Sequence, residues 1–113
     1  MKPTYTYFAT VLHIVDADTF DVLIDYGDYL TQRRRLRLNH VDAYEKATEK
    51  GKQGKAFVER FLPLGAEIVV TTSKPDKYGR QLAVVQTPLG LDLASELLRA
   101  GLAVPYEGGT KTI

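Results

Sequence analysis

The stretch RRRLRLNHVDAYE, residues 33–45, combines a strand with a polar turn. Strand side chains alternate between the two faces of a sheet, so its leucines lie on one face and Arg37 on the opposite one. The turn that follows contains two carboxylates, Asp42 and Glu45. A strand that delivers an arginine beside an acid pair suggests chemistry on a phosphate.

The length and composition indicate one small domain, which we expect to span residues 1–113. A chain of this size buries roughly two-thirds of the surface that its unfolded form exposes, which is enough for one core. It contains no cysteine, which excludes disulfides and cysteine-based zinc sites. The net charge of +1 is too small to indicate a nucleic-acid binder, but cations cluster at residues 33–37 and at Lys74, Lys77 and Arg80.

The N-terminal segment lacks the pattern of a signal peptide. Polar residues interrupt its apolar run after Lys2, and no small-residue cleavage site follows. No apolar stretch approaches the roughly 20 residues of a membrane span. We therefore expect a cytoplasmic protein without membrane contact, or a secreted one if an N-terminal segment was trimmed.

Hydrophobic alternation and turn residues divide the first part of the chain into three strands. They are predicted at Tyr5–Val15, Thr19–Tyr26 and Leu30–Asn39. In the second strand, apolar side chains occupy every other position from Phe20 onward. Short turns join the three strands into an antiparallel meander.

The rest of the chain mixes helices and strands. The predicted elements are a loop at Val41–Gly51, a helix at Lys52–Leu62, strands at Glu67–Thr72 and Gln81–Gln86 around a loop at Ser73–Arg80, a helix at Leu91–Ala100 and a surface tail at Pro105–Ile113. Spacing predicts the inward residues as Ala56, Phe57 and Phe61 in the first helix, and Leu93, Leu97 and Leu98 in the second. Asp92 is the expected N-cap of the second helix and Gly101 its C′ residue.

The resulting order, β-β-β-α-β-β-α, predicts an α+β, mostly β domain. Five strands with a helix between the third and the fourth are typical of the OB-fold, a Greek-key barrel that binds oligonucleotides and oligosaccharides. An SH3-like barrel or an α+β meander would fit the same count of elements.

Two groups of acids lie in the predicted turns, one around Asp16 and Asp18 and one at Asp42 and Glu45. If the turns are neighbours, Asp18 and Asp42 converge on one point, where carboxylates suit a hard cation such as Ca²⁺ or Mg²⁺. Glu45 could then act as a general base on a water. The alternative is that turn aspartates cap backbone N–H groups and that Glu45 is an ordinary loop residue.

The cations allow a similar pair of interpretations. Arg37 lies nearest the acidic turn and could share an anionic ligand with a metal, whereas Arg33 and Arg35 are expected to be solvated. The segment Lys77–Arg80 could wrap a phosphate or simply connect two strands. Tyr44 and Tyr106 could stack on bases or cover the edge of the core.

Four segments, taken in order, resemble the staphylococcal nuclease (thermonuclease) family from about Phe8 to Tyr106. They are DADT at 16–19, similar to the family's D-G-D-T turn; RLNHVDAYE at 37–45, similar to R-L-x-x-x-D-T-P-E; DKYGR at 76–80, identical to the family's loop; and GLA at 101–103. The resemblance implies a calcium-dependent endonuclease that hydrolyses phosphodiester bonds in DNA and RNA and leaves 3′-phosphate products.

The resemblance also implies roles for individual residues. Asp18, Asp42 and the backbone carbonyl of Ala43 correspond to calcium ligands, and Glu45 to the proposed general base. The arginines that grip the scissile phosphate fall at Arg37 and Arg80. Contacts to a neighbouring terminal phosphate fall at Lys77 and Tyr78, with Tyr106 lining the same pocket.

The chain departs from the family pattern at Ala17, at Ala43-Tyr44 and in ending before a third helix could form. Given the last difference, we expect the chain to be a monomer or a weak homo-oligomer. Two other functions remain open: an inactive module that binds nucleic acid or protein, and a structural barrel with surface ion pairs. Both acids, both arginines and the glutamate are present together, which favours the nuclease.

Overall fold

A computed structural model describes residues 5–106. Within this range the chain forms seven strands and two helices. They are β1 (Thr6–Asp16), β2 (Thr19–Gly27), β3 (Leu30–Leu38), β4 (Val41–Ala43), α1 (Glu49–Phe61), β5 (Glu67–Pro75), β6 (Gln81–Gln86), α2 (Leu93–Arg99) and β7 (Ala103–Pro105).

Five of the described strands close into a barrel in the order β1-β2-β3-β6-β5, with β5 paired back to β1. The contact between β3 and β6 is parallel, and the other barrel pairs are antiparallel. This mixed barrel with two helices confirms the predicted α+β fold of the OB type. Because β6 joins β3 only over Leu36–Leu38, that end of β3 lies beside the loop that enters β6.

The core follows the alternation predicted for the strands. Phe20, Val22 and Ile24 of β2 are fully buried, and so are Leu36 and Leu38 of β3. Removing such side chains from water is the main stabilising contribution to a domain of this size. The same alternation places Arg33, Arg35 and Arg37 on the opposite face of β3 from these leucines.

The segment 41–51, predicted to be a loop, is more ordered than its polarity suggests. Val41–Ala43 forms β4, which pairs with β7 at Ala103–Pro105, so Pro105 belongs to a strand rather than to the predicted tail. Helix α1 begins at Glu49, three residues before the predicted start, because the side chain of Thr48 caps it. The prediction missed β4 because three residues are too few to show a period.

The inward faces of the helices were predicted only in part. Phe57, Phe61, Leu93 and Leu97 pack on or in the core, but Ala56 and Leu98 are exposed. Helix α1 instead buries Gly51, Gly54 and Val58. At Gly51 the backbone of Glu45 leaves no room for a side chain.

The ends of α2 agree with the prediction. Asp92 is its N-cap residue, although the Asp92 side chain accepts a bond from the Ser95 hydroxyl and caps no N–H group. Gly101 adopts a φ of 73°, as expected at a C′ position. Residues 107–113 of the predicted tail lie outside the described residues. Within 5–106, neither helix is long and apolar enough to cross a membrane.

Candidate active site

Arg37, at the end of β3, is buried and held by several acceptors. Its Nη1 atom donates to the carbonyls of Leu38, at 2.6 Å, and Val41, at 2.8 Å. Its Nη2 atom donates to Oδ1 of Asp42 at 3.1 Å. Only 8% of the arginine side chain is exposed. The guanidinium is therefore fixed between β3 and β4 rather than solvated.

Asp18 joins this cluster from the turn between β1 and β2. Its Oδ2 atom lies 3.6 Å from Nη2 of Arg37 and accepts a hydrogen bond from the backbone N–H of Ala43 at 2.9 Å. Its Oδ1 atom accepts a bond from the hydroxyl of Thr19 at 3.1 Å. The two acidic turns are thus neighbours, and Asp18 ties one to the other.

The turn between β3 and β4 brings Asp42 back toward Arg37. His40 adopts a φ of 70°, a conformation that reverses the chain sharply, and its N–H is held by the side chain of Asn39. The pairing of β4 with β7 then fixes Asp42, while the N–H of Tyr106 donates to the carbonyl of His40. The Tyr106 ring lies 5.7 Å from the guanidinium carbon of Arg37.

An acidic pocket of about 180 Å³ opens beside this cluster. It is lined by Asp16, Asp18, Asp42, Ala43, Tyr44, Glu45 and Lys46. Oδ1 of Asp16 is buried there and has no hydrogen-bond partner among the described residues. Since a buried acceptor without a donor is costly, this atom is suited to a cation or an ordered water.

The donors around the acidic pocket are hard oxygens. Within residues 5–106, no three His, Asp or Glu side chains are grouped closely enough to hold a metal by themselves. The set predicted from the family, two carboxylates and the Ala43 carbonyl, needs no third side chain. Carboxylate, carbonyl and water oxygens are the ligands that Ca²⁺ takes, so the residues present fit this ion.

The loop between β5 and β6 is built around Asp76. Its Oδ1 atom accepts the N–H groups of Tyr78 and Arg80, each at 2.9 Å, and its Oδ2 atom accepts from Nε of Arg80 at 2.7 Å. Gly79 adopts a φ of 82°, which closes the turn. Burial alone would raise the pKa of Asp76. The two amide hydrogen bonds and the Arg80 charge outweigh this effect and hold the pKa below its usual value.

This loop carries Arg80 to the edge of the Arg37 cluster. Nη1 of Arg80 lies 3.4 Å from the hydroxyl of Thr19, the residue next to Asp18. The Tyr78 ring is flanked by Arg80, at 5.4 Å, and by the Lys77 amine, at 5.3 Å. Cations at this distance from an aromatic ring are attracted to its face. The loop therefore presents two cations and an aromatic ring together.

A second, basic pocket of about 300 Å³ is lined in part by Arg37. Its lining also includes Lys74, Lys77, Tyr78 and Tyr106. Cations and aromatic rings in one cavity suit a nucleotide, whose phosphate and base they can both contact. Arg37 thus lines the basic pocket while it bonds to the acids of the other.

Eight of the nine site residues predicted from the sequence line the acidic or the basic pocket, and the ninth, Arg80, contacts Thr19, the residue next to Asp18. The nine residues are Asp18, Arg37, Asp42, Ala43, Glu45, Lys77, Tyr78, Arg80 and Tyr106. Arg33 is exposed, and Arg35 is paired with Asp21 at 2.8 Å on the outer face of the barrel.

Sequence reasoning missed three supporting residues. The sequence indicates Asp16 only as one of several acids, not as part of the acidic pocket, and it indicates no role for Thr19 or Asp76. The signals were present: Asp16 and Asp18 flank one turn residue, and Asp76 precedes a glycine turn that also contains Arg80.

The fold and site together define a small OB-type domain with adjacent acidic and basic pockets. A family model described as staphylococcal nuclease homologue matches residues 35–112, more than half of the chain. The chain belongs to this family.

The chain is also similar in sequence to several named proteins. An uncharacterized endonuclease of Escherichia coli O157:H7 is 32% identical over 97 residues, covering 86% of this chain and 60% of the relative. A micrococcal nuclease of Shigella flexneri is 37% identical over 79 residues, or 70% of this chain and 42% of the relative. A protein ParB of Escherichia coli is 33% identical over 85 residues. The chain spans only about half of the length of these relatives.

Proposed function

We propose that this chain is a calcium-dependent endonuclease that hydrolyses phosphodiester bonds in DNA and RNA and leaves 3′-phosphate products. The observation that carries the proposal is the position of Arg37. The buried guanidinium of Arg37 bonds to Asp42 of the acidic pocket, and the same residue lines the basic pocket that suits a nucleotide. A phosphodiester bound at Arg37 would have a cation site on one side and a nucleotide on the other.

Asp18, Asp42 and the carbonyl of Ala43 would hold the Ca²⁺, with Asp16 close enough to contribute through water. When bound, the ion supplies positive charge that offsets the phosphate and helps to orient it. Asp18 already links the two acidic turns through the Ala43 amide, so its carboxylate is partly oriented in advance. Such preorganisation lowers the cost of assembling a metal site.

Arg37 and Arg80 would bind the non-bridging oxygens of the scissile phosphate. The three hydrogen bonds of Arg37 use three of the five N–H groups of a guanidinium, which leaves two for a phosphate. Arginine suits this role because its planar fork matches two oxygens at once. Both side chains are held before the substrate arrives, as electrostatic stabilisation of a transition state requires.

Glu45 would orient or deprotonate the attacking water. It lines the same pocket as Asp18 and Asp42 and lies on an exposed turn that water can reach. A general base at such a position contributes roughly 10²- to 10⁴-fold to a rate. Lys77, Tyr78 and Tyr106 would bind the adjacent nucleotide and its terminal phosphate in the basic pocket.

Cleavage assays test this function. Single-stranded DNA and RNA are incubated with the protein in Ca²⁺, in Mg²⁺ and in a chelator, alongside Arg37→Ala and Glu45→Ala. Arg33→Ala is the matched control, because Arg33 is an exposed arginine on the same face of the same strand. We expect Ca²⁺-dependent cleavage that both site variants reduce at least a hundredfold and that the control leaves unchanged.

Two outcomes would overturn the proposal. Equal cleavage by the wild type and both site variants would show that the active site lies elsewhere. Binding of oligonucleotide without cleavage, under every metal condition, would instead identify the chain as a nucleic-acid-binding module. End-group analysis of the products, as 3′-phosphate or 3′-hydroxyl, tests the direction of cleavage.

A further inference from the structure

The first turn of α1 packs directly on the backbone of Glu45. A Cβ atom added at Gly51 would lie 1.8 Å from the carbonyl oxygen of Glu45 and 2.8 Å from Cα of Lys46. Real Cβ atoms essentially never approach other atoms within 3.0 Å. The turn that carries Glu45 can therefore occupy this place only because residue 51 has no side chain.

Thr48 donates two hydrogen bonds to the same carbonyl. Its backbone N–H donates to the Glu45 oxygen at 3.0 Å, and its hydroxyl donates to that oxygen at 2.6 Å. The hydroxyl in turn accepts a hydrogen bond from the N–H of Gly51 at 3.0 Å. One threonine thus caps the helix and ties the Glu45 backbone to it.

Glycine at position 51 is unfavourable for the helix itself. Glycine inside a helix is less stable than alanine, because it loses more backbone freedom on folding. Gly51 nevertheless lies in the first turn of α1, and the steric contact with Glu45 gives the reason. Helix α1 is itself anchored on the barrel through the fully buried Val58. Glu45 is therefore connected through α1 to the rigid part of the fold.

We propose that Thr48 and Gly51 are positioning residues for Glu45. The proposal rests on the function given above, in which Glu45 acts on the attacking water. The turn at 44–48 is otherwise largely exposed, so without these contacts its backbone would have more freedom to move. A misplacement of a reacting group by about 1 Å can lower a rate by about a hundredfold. Neither residue needs to touch the substrate to have this effect.

Thr48→Ala tests the hydrogen bond from the Thr48 hydroxyl to the Glu45 carbonyl without introducing a steric clash. We expect kcat for DNA cleavage to fall by about tenfold while KM changes less than twofold, since the basic pocket is untouched. Thr48→Ser keeps the hydroxyl and should restore kcat to within twofold of the wild type. If serine is as slow as alanine, or if alanine is as fast as the wild type, the hydroxyl does not position Glu45.

Gly51→Ala tests the steric contact with Glu45. We expect a larger fall in kcat, because the added methyl group forces the Glu45 backbone to shift. Ala56→Gly is the matched control: it exchanges the same two residue types in the same helix, but at an exposed position away from Glu45. The control should lower the melting temperature and leave kcat unchanged. If Gly51→Ala does not fold, the Thr48 pair still decides the matter.

A double-mutant cycle separates this inference from the proposed function. In the Glu45→Ala background, Thr48→Ala should change kcat less than twofold, because the group it positions is already absent. Independent, multiplying losses would overturn the positioning role. If Glu45→Ala itself keeps full activity, the general-base assignment is wrong. If only Glu45→Ala is slow and both Thr48 variants are fast, the base assignment stands and the positioning role is wrong.

Discussion

Two arginines of the site, Arg37 and Arg80, carry the same charge but are held in opposite ways. Arg37 is 8% exposed and bonds to the carbonyl of Leu38, at the end of its own strand, and to the Val41 carbonyl and the Asp42 carboxylate of β4. Arg80 is 28% exposed, and its guanidinium is paired with Asp76, four residues earlier in the same loop. One arginine is fixed by the barrel, and the other by its own loop.

The difference separates two ways of building a charged site. Removing Arg37 would leave Asp18 and Asp42 in a buried cluster without their cation, so its loss should lower the stability of the whole domain. Removing Arg80 would remove only the ion pair with Asp76, which lies near the surface. Activity should depend on both residues, whereas stability should depend mainly on the first.

Arg37→Ala is expected to have the largest effect. Activity should fall by at least about a thousandfold through the lost phosphate contact. The free energy of unfolding should fall by about 3 kcal/mol or more, because two buried carboxylates lose the cation that lies between them. Urea unfolding measured in chelator checks the second value, and Arg33→Ala, an exposed arginine, should change it by less than about 0.5 kcal/mol. Full stability in Arg37→Ala would contradict the contrast between the two arginines.

Arg80→Ala should separate activity from stability. We expect cleavage to fall by about a hundredfold or more, since a second donor to the phosphate is lost. The free energy of unfolding should change by less than about 1 kcal/mol, because a partly exposed ion pair contributes little. The same unfolding assay measures both variants. Equal destabilisation by Arg80→Ala and Arg37→Ala would show that the loop is as much a part of the barrel as β3 is.

Calcium should stabilise the wild type by an amount that grows with its concentration. An ion that binds only the folded chain adds about 2.7 kcal/mol at a hundred times its dissociation constant. Asp42→Asn removes one proposed ligand charge and should abolish the gain, as should Asp18→Asn. The melting temperature with and without Ca²⁺ measures this, and Asp25→Asn, at an exposed position on β2, is the control. An equal gain in all variants would place the ion elsewhere.

The barrel strands could be predicted from the sequence because their apolar residues alternate with a regular period. Alternation in β2 and β3 identified both the strands and their buried faces, and the turns followed from glycine and aspartate. The short strand β4 is too short to show a period, and no local pattern indicates its pairing with β7, which joins segments some sixty residues apart. The prediction of the inward face of α1 was partly wrong because close packing, and not apolar spacing, selects its buried glycines: Gly51 lies against the backbone of Glu45, and Gly54 against the side chain of Ala17.

The candidate site residues could be predicted from the sequence where they lie within a motif of the family. The family resemblance located Asp18, Arg37, Asp42 and Arg80, all of which the fold brings together. It could not indicate that Arg37 is buried, because the arginines of β3 look alike in sequence. The carbonyls that bind Arg37 and not Arg33 come from Leu38, the last residue of β3, and from Val41 of β4. Such supporting contacts are visible only in the folded chain.

Asp76→Asn should have the smallest effect and the clearest dependence on pH. The folded pKa of Asp76 lies below the ordinary value of 3.8, so its carboxylate stabilises the fold above that pH. The contribution is lost as the pH falls through the folded pKa. The wild type should therefore be more stable than Asp76→Asn at pH 7, by less than about 1 kcal/mol, and the difference should vanish in acid. Chemical unfolding at pH 7, 5 and 3 measures it.

Asp21→Asn is the matched control, because Asp21 also has a lowered pKa, held down chiefly by its hydrogen bonds to Arg35. Its stability difference should show the same dependence on pH, since both carboxylates are charged in the folded state at lower pH than in the unfolded one. Only Asp76→Asn should also raise KM, since Asp76 holds Arg80 and the Lys77–Tyr78 segment in place. If both variants raise KM equally, the loop around Asp76 does not orient the phosphate-binding groups, and Arg80 must be positioned by the substrate itself.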